Sequence, residues 1–282
     1  MMDVIEISEE NVEDFLPVLG EDLSEDVKRI YYNGIGATDE TGQPVGAFVY
    51  ELVDAESEED TKSRICLARF GNAEVSGTLT EYYSRTAAEE NDVVESFYEL
   101  EEESEAQALA GIGFSMEKKE DDTLAITLEE LSKTPLGKKT RIPDHVGDIE
   151  DLSILQFRDA VKQILFKGHK GIMEDLPFLP KSWFDNKVSA CISSGEKTLG
   201  LFLVRRTPSG VLIPALLFAY GPEYQKNLVH MIRYALQQAL AIYPPETTVR
   251  ISRKNAATRA LTDKLLAGRS GAQIFFGTRK EQ

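Results

Sequence analysis

A chain of 282 residues, 42% of them apolar, can bury one large core or two cores of about 130 residues each. A net charge of −17 sets the molecule as a whole against nucleic acid and anionic membrane, and no run approaches the ~18 apolar residues that a membrane span needs. The start, Met-Met-Asp-Val-Ile-Glu, has no basic region of the kind a signal peptide carries, so a cytoplasmic location is expected.

The charge is unevenly placed. Residues 1–140 hold 35 acidic and 11 basic side chains, whereas residues 141–282 hold 13 and 20. Such a break predicts a domain boundary and leaves the rear half free to meet an anion locally. Cys66 and Cys191 stand singly in apolar runs, as small core residues do. His145, His169 and His230 lie apart, without the spacing of a metal site.

In chain order, Asp3–Ile7 alternates as a strand, and Ser8 can cap a following helix with acid in its first turn. Short helices are predicted over about Glu10–Leu19 and Ser24–Tyr32, then a hairpin of Gly34–Thr38 and Val45–Val53. Asp54–Asp60 reads as a solvated acidic loop and Ser63–Phe70 as a strand. From Asn72 to Glu90, Val75, Leu79, Tyr82, Tyr83 and Thr86 mark the inner stripe of a helix. Val93–Leu100 and Thr123–Leu128, flanking a helix at Ser104–Gly111, are expected to close the first sheet.

Leu131–Asp151, with Lys133, Lys138, Lys139 and Arg141 among prolines and glycines, reads as a linker. The expected domains are therefore 1–131 and 152–282, with 132–151 between them. Ser153 caps a helix carrying Ile154, Phe157, Val161, Ile164 and Leu165 on one side. Residues 169–186 are irregular, and their Phe178, Trp183 and Phe184 suit a plug at the end of a sheet better than a pocket lining.

The rear half is the clearer one. Lys187–Ser193, Thr198–Arg205 and Val211–Ala219 are apolar runs separated by Ser-Gly and Pro-Ser-Gly turns, as in hairpin-linked strands. A helix over Asn227–Ile242 places Leu228, Met231, Ile232, Ala235, Leu236, Ala239 and Leu240 on one face, and Pro244-Pro245 stops it. Thr247–Ser252 is a β-branched strand, about Asn255–Leu266 a helix closed by Gly268, and Ala272–Phe276 a last strand expected to complete the rear sheet.

A mainly antiparallel meander followed by two β–α crossovers resembles the GNAT (Gcn5-related N-acetyltransferase) fold. The segment Asn255-Ala256-Ala257-Thr258-Arg259-Ala260-Leu261-Thr262-Asp263-Lys264-Leu265 is similar to that family's segment of an Asn followed by a short helix, with Thr262 at the position of its Tyr. A second copy in the front half ends in Gly111-Ile112-Gly113-Phe114, with Leu109 at the Tyr position. The resemblance implies an α/β (α+β) protein of two GNAT-like domains, each a mixed, mainly antiparallel sheet flanked by helices.

It also implies acetyl-CoA as cofactor, held by its pyrophosphate on backbone N–H groups in the turn after the fourth strand, at a helix N-terminus. The front turn, Asn72-Ala73-Glu74-Val75-Ser76-Gly77, keeps only the final Gly of the family pattern and puts Glu74 where the anion would lie. The rear turn, Tyr220-Gly221-Pro222-Glu223-Tyr224-Gln225-Lys226-Asn227, lacks the paired small residues but has cations to hand. The candidate cofactor-binding residues are accordingly Gly221, Lys226, Asn227, Arg205, Arg206 and Asn255. For the acid that returns a proton to the leaving thiolate, neither Leu109 nor Thr262 serves, and Tyr220, Tyr224, Tyr98 and Glu51 remain open.

Two functions follow from the resemblance. One is acetyl-CoA-dependent N-acyl transfer to a small-molecule or peptide amine. The other is a GNAT-like binding or regulatory module without transfer chemistry.

Overall fold

The computed structural model describes residues 2–29, 32–54, 61–120, 122–138, 140–166, 176, 179–195, 197–221, 227–254, 256–266, 269, 271 and 273–281. The chain divides into two compact units, Met1–Asp121 with Ala272–Gln282, and Asp122–Gly271. The first holds 33 acidic and 10 basic side chains and the second 15 and 21, so the charge break seen along the sequence separates the two units.

In the first unit β1 (Asp3–Ile7), β2 (Asn33–Thr38), β3 (Pro44–Asp54) and β4 (Thr61–Phe70) form an antiparallel meander. The predicted helix at Glu10–Leu19 shrinks to α1 (Leu16–Leu19), preceded by turns. Pro17 sits in its first turn, and Gly20, at φ 79°, breaks the chain before α2 (Glu21–Lys28). After β4 come α3 (Ala73–Tyr82), continued by one π-helical turn, and β5 (Val93–Leu100), which pairs parallel to β4. Then follow α4 (Glu103–Gly111) and a short β6 (Glu117–Glu120). The Glu-Lys-Lys-Glu run of β6 carries no apolar alternation, so no local pattern announces this strand.

The next strand leaves this sheet. β7 (Thr123–Thr127) pairs with β12 (Thr248–Ser252) of the second unit, Thr127 opposite Thr248 and Thr123 opposite Ser252. Conversely β13 (Gln273–Lys280), the last strand of the chain, enters the first sheet between β5 and β6. The first sheet therefore runs β1-β2-β3-β4-β5-β13-β6. Each strand was expected to close the sheet of its own half, and the structure exchanges them. Phe275, 4% exposed, packs with Tyr98, Leu100 and Phe114 in the first core, whereas Leu124 and Ile126 lie in the second. Beyond β13 the carboxylate of Glu281 takes Arg279 Nη2 at 2.8 Å and Ser96 Oγ at 2.5 Å, which anchors the end of the chain in the first unit.

The segment read as a linker is packed. Thr127 and Glu130 form a reciprocal capping box that starts α5 (Leu128–Ser132) directly after β7. Leu131, Leu136 and Val146 are buried in the second core. β8 (Val146–Asp148) is the edge strand of the second sheet. Prolines and glycines shape its turns, but the spaced leucines hold it down.

The second unit continues with α6 (Ile154–Phe166), β9 (Ala190–Ser194), β10 (Lys197–Arg206), β11 (Leu212–Ala219), α7 (Leu228–Ile242), β12 (Thr248–Ser252) and α8 (Ala256–Leu265). Its strands run β7-β12-β11-β10-β9-β8, antiparallel except for β11 with β12. Counting from the parallel pair, this is the connectivity of the first sheet. α7 covers one face with Met231, Ala235, Leu236 and Ala239, and α6 the other with Phe157, Ala160, Val161 and Ile164.

Gly277 tests the exchanged strand. A Cβ there would stand 1.9 Å from the carbonyl oxygen of Ser115 and 2.5 Å from the Tyr98 ring. We expect Gly277→Ala to cost about 1–3 kcal/mol through this overpacking and to lower the midpoint of thermal unfolding by several degrees. An unchanged melt would show that β13 does not sit against Ser115.

Candidate functional site

In each unit the fourth strand carries one extra residue against the third. Tyr50 pairs with Ile65 and Val49 with Leu67, leaving Cys66 as a bulge in β4. Val204 pairs with Pro214 and Leu203 with Leu216, leaving Ala215 as a bulge in β11. A bulge bends the strand that carries it and ends regular pairing on its far side. Beyond Cys66, β4 runs on to Phe70 without further register with β5, whose last pair is Ile65 with Tyr98. In the second unit the divergence is wider: among the described residues a single register pair, Leu212 with Val249, joins β11 to β12.

The two openings are filled differently. In the first, α4 aims Glu105 at the diverging strand. Its carboxylate accepts Arg69 Nε at 2.7 Å and lies 3.5 Å from the backbone N of Ala68, and its side chain is 8% exposed. Arg69 donates in turn to the carbonyl of Val18 at 2.6 Å, tying α4, β4 and α1 across the mouth. A half-exposed guanidinium on a buried carboxylate holds that carboxylate in place and takes the strand amide that a ligand would need. At the adjoining turn the side-chain oxygen of Asn72 accepts Val75 N at 3.0 Å and caps α3. Val75, in place of the first glycine of the family pattern, is 2% exposed and packs against Gly46.

In the second opening, three residues beyond the bulge, the place of Arg69 is taken by Phe218. The place of Glu105, four residues before Leu109, falls on Thr258, four before Thr262. Neither can reproduce the ion pair. The turn after β11 passes Gly221 at φ 146°, a conformation that glycine admits. Asn227 precedes α7 but does not cap it with its side chain, and its Nδ2 lies 3.2 Å from Nε2 of His145. The buried Asn227 is thus fixed beside the start of α7, which its own side chain does not cap.

The candidate cations are not gathered there. Arg205 and Arg206 pair with Ile213 and Leu212, at the start of β11, whereas Gly221 follows its end. Seven residue-to-residue steps of about 3.3 Å each along β11 separate the two ends. Arg205 stacks on Trp183 at 4.7 Å and Arg206 on Tyr243 at 5.0 Å. The antiparallel hairpin causes this, since it carries the end of β10 to the start of β11. Lys226 and Asn255 lie outside the described residues, as do Tyr224, Phe178 and His169. Phe184 is core, against Phe157 at 6.0 Å.

The remaining candidate acids have partners. Tyr98 donates its hydroxyl to Ser115 O at 3.0 Å, Tyr220 donates to Ala160 O, and Glu51 holds Arg64 at 2.5 Å. Burial pushes the phenols of Tyr98 and Tyr220 above their ordinary range. Burial likewise pushes the thiols of Cys66 and Cys191 up to about 11, which keeps both protonated near neutrality and unfit as nucleophiles. The Arg69–Glu105 pair escaped sequence reading because its partners stand 36 residues apart with no pattern to join them.

No protein-family model and no curated protein matches the sequence. Solved structures do match the fold. A tandem GNAT protein from the clavulanic acid biosynthesis pathway aligns over 100% of this chain and 99% of its own, with a TM-score of 0.65 at 12% identity. A GCN5-related N-acetyltransferase from Sphaerobacter thermophilus aligns over 100% and 96%, with a TM-score of 0.51 at 9% identity. A probable N-acyltransferase from Enterococcus faecalis aligns over 100% and 72%, at 0.50 and 13%. Among the described residues no helix is long and apolar enough to cross a membrane. With its two mixed sheets, each bulged in the fourth strand and opening beside the fifth, the chain has the tandem GNAT fold.

Proposed function

We propose that the protein is a GNAT-type N-acyltransferase of the cytoplasm that takes acetyl-CoA in its second unit and passes the acyl group to a small-molecule or peptide amine. The observation that carries this reading is the contrast between the openings: Arg69 and Glu105 form an ion pair in the first, whereas Phe218 and Thr258, which cannot form one, stand at their positions in the second. The diverging edge of β11 offers backbone groups to an amide-containing arm, and the N-terminus of α7, which the Asn227 side chain does not cap, favours an anion. The second unit's excess of basic side chains favours the same polyanion. Acetyl-CoA would supply an activated acyl thioester; the chain's own part is to bind and orient it with Gly221, Asn227 and, next to Asn227 in sequence, Lys226.

A second reading, a GNAT-fold module that binds without transferring, draws on Leu109 and Thr262, neither of which can serve as the family's acid. Calorimetric titration with acetyl-CoA separates the cases. Binding is expected, weakened on the order of tenfold by Lys226→Ala and falling as salt rises, because salt screens attraction between opposite charges. Arg206→Ala should leave it unchanged. No heat of binding would remove the transferase reading. Binding without acyl transfer to any amine of a broad panel would favour the module.

A further inference from the structure

The residue that opens α7 is held from the side. Asn227 is 7% exposed, its side chain makes no cap bond to the helix, and its Nδ2 lies 3.2 Å from Nε2 of His145, in the turn that enters β8. That turn is fixed at the backbone: Val146 N donates to Pro143 O at 2.9 Å, and Ser193 N of β9 donates to His145 O at 3.0 Å. The imidazole itself is on an exposed residue and open to protons from solvent.

A carboxamide nitrogen only donates, so Nε2 of His145 accepts, and the ring is neutral with its proton on Nδ1. An imidazolium has an N–H at both ring nitrogens and nothing to accept with. On protonation, Oδ1 of Asn227 must therefore take the place of Nδ2, by a half-turn of the carboxamide that leaves the backbone where it is. The other end of the amide turns with it. Beside the start of α7 a carbonyl oxygen then gives way to an N–H donor, which is the group an anion at that end accepts from.

The charged and titratable groups around His145 come from three elements. Asp144, Asp148, Asp151, Cys191 of β9 and Tyr234 of α7 line one cleft with it. Asp144 meets Arg141 at 3.6 Å, and Asp148 takes the Tyr234 hydroxyl on Oδ2 at 3.2 Å and the Cys191 thiol on its carbonyl at 3.1 Å. On α7, His230 follows Asn227 by one turn, with its Nδ1 buried and without a hydrogen-bond partner.

We propose that the protonation of His145 regulates the anion-binding end of α7: neutral, it holds the Asn227 carboxamide with its oxygen toward the ligand; charged, it turns the nitrogen that way and strengthens acetyl-CoA binding. His145 acts here as a positioning residue, through Asn227. The regulation rests on the reading of the second opening as the acetyl-CoA site.

Two measurements on the full chain test it. In the free protein, heteronuclear NMR follows the side-chain amide of Asn227 from about pH 8 to about pH 5, the range in which an imidazole changes charge. The amide should shift with pH in the unsubstituted chain and stay still in His145→Gln, which keeps a hydrogen-bonding group at that place and does not titrate. Calorimetry over the same range uses acetyl-CoA lacking its 3′-phosphate, because a phosphate monoester takes up a proton there itself. Affinity should rise on the order of tenfold toward the acid end in the unsubstituted chain and stay within about twofold in His145→Gln and in Asn227→Ala. His145→Gln, at an exposed position, should leave the melting curve unchanged. An Asn227 amide that does not shift overturns the proposal whether or not acetyl-CoA binds. A rise in affinity that persists in Asn227→Ala would make His145 a plain charge and overturn its positioning role. A shifting amide with no heat of binding at any pH would remove the acetyl-CoA reading, and the regulation with it.

Discussion

Cleaving the chain between α5 and β8 should leave the two pieces together. Lys138 and Arg141 are exposed in that stretch, and limited trypsin treatment should cut there without releasing either half. The front piece keeps β7, which makes five register pairs with β12 in the second sheet; the rear piece keeps β13, which makes six with β5 and four with β6 in the first. Separation must unzip both. It also exposes Leu124, Ile126 and Phe275, at about 1.5–3 kcal/mol each. The nicked protein should therefore run as two bands on a denaturing gel and as one peak on a native sizing column. Expressed alone, residues 1–131 and 152–282 should each fail to fold, because each lacks a central strand or an edge partner and leaves a long sheet edge open to aggregation. Two fragments that separate after cleavage, each with native circular dichroism, would disprove the exchange.

The double substitution Phe218→Arg with Thr258→Glu should abolish acetyl-CoA binding. It copies into the second unit the pair that closes the first, a guanidinium from the diverging strand on a carboxylate from the first turn of the helix after the fifth strand. Phe218 is half-buried, with its ring 4.9 Å from Tyr220, so the single Phe218→Arg change is expected to cost stability as well. The double change should recover part of that loss, because the new carboxylate gives the charge a partner. Calorimetry on the folded double variant is the measurement. The reverse experiment, Glu105→Ala in the first unit, should lower the melting temperature yet leave acetyl-CoA affinity within about twofold, a difference well under 1 kcal/mol. Should Glu105→Ala create a second binding event, the first opening is a donor site held shut by this pair. Full binding by the folded double variant would place the donor outside the β11–β12 opening.

What the sequence determined was the kind of each main element and the order of most. The period-2 runs of the rear half, the spacing of Met231, Ala235, Leu236 and Ala239, and the Pro-Pro stop after Ile242 are local signals, and a helix or strand announces its buried face through its own residues. The charge break is equally local, being a matter of counting. The tertiary structure alone decided which sheet β7 and β13 join. Alternation in Thr-Leu-Ala-Ile-Thr names a face to bury and says nothing of the partner strand; the partner is set by which sheet has a free edge beside its parallel pair. The same limit hid the site. Arg205 and Arg206 stand 16 and 15 positions before Gly221, and the hairpin sends them to the far end of the sheet, whereas Arg69 and Glu105, 36 positions apart, are brought to 2.7 Å by the helix that crosses the opening. Distance along the chain and distance in space part company wherever a strand turns back or a helix crosses over, and the chemistry of both openings rests on such crossings.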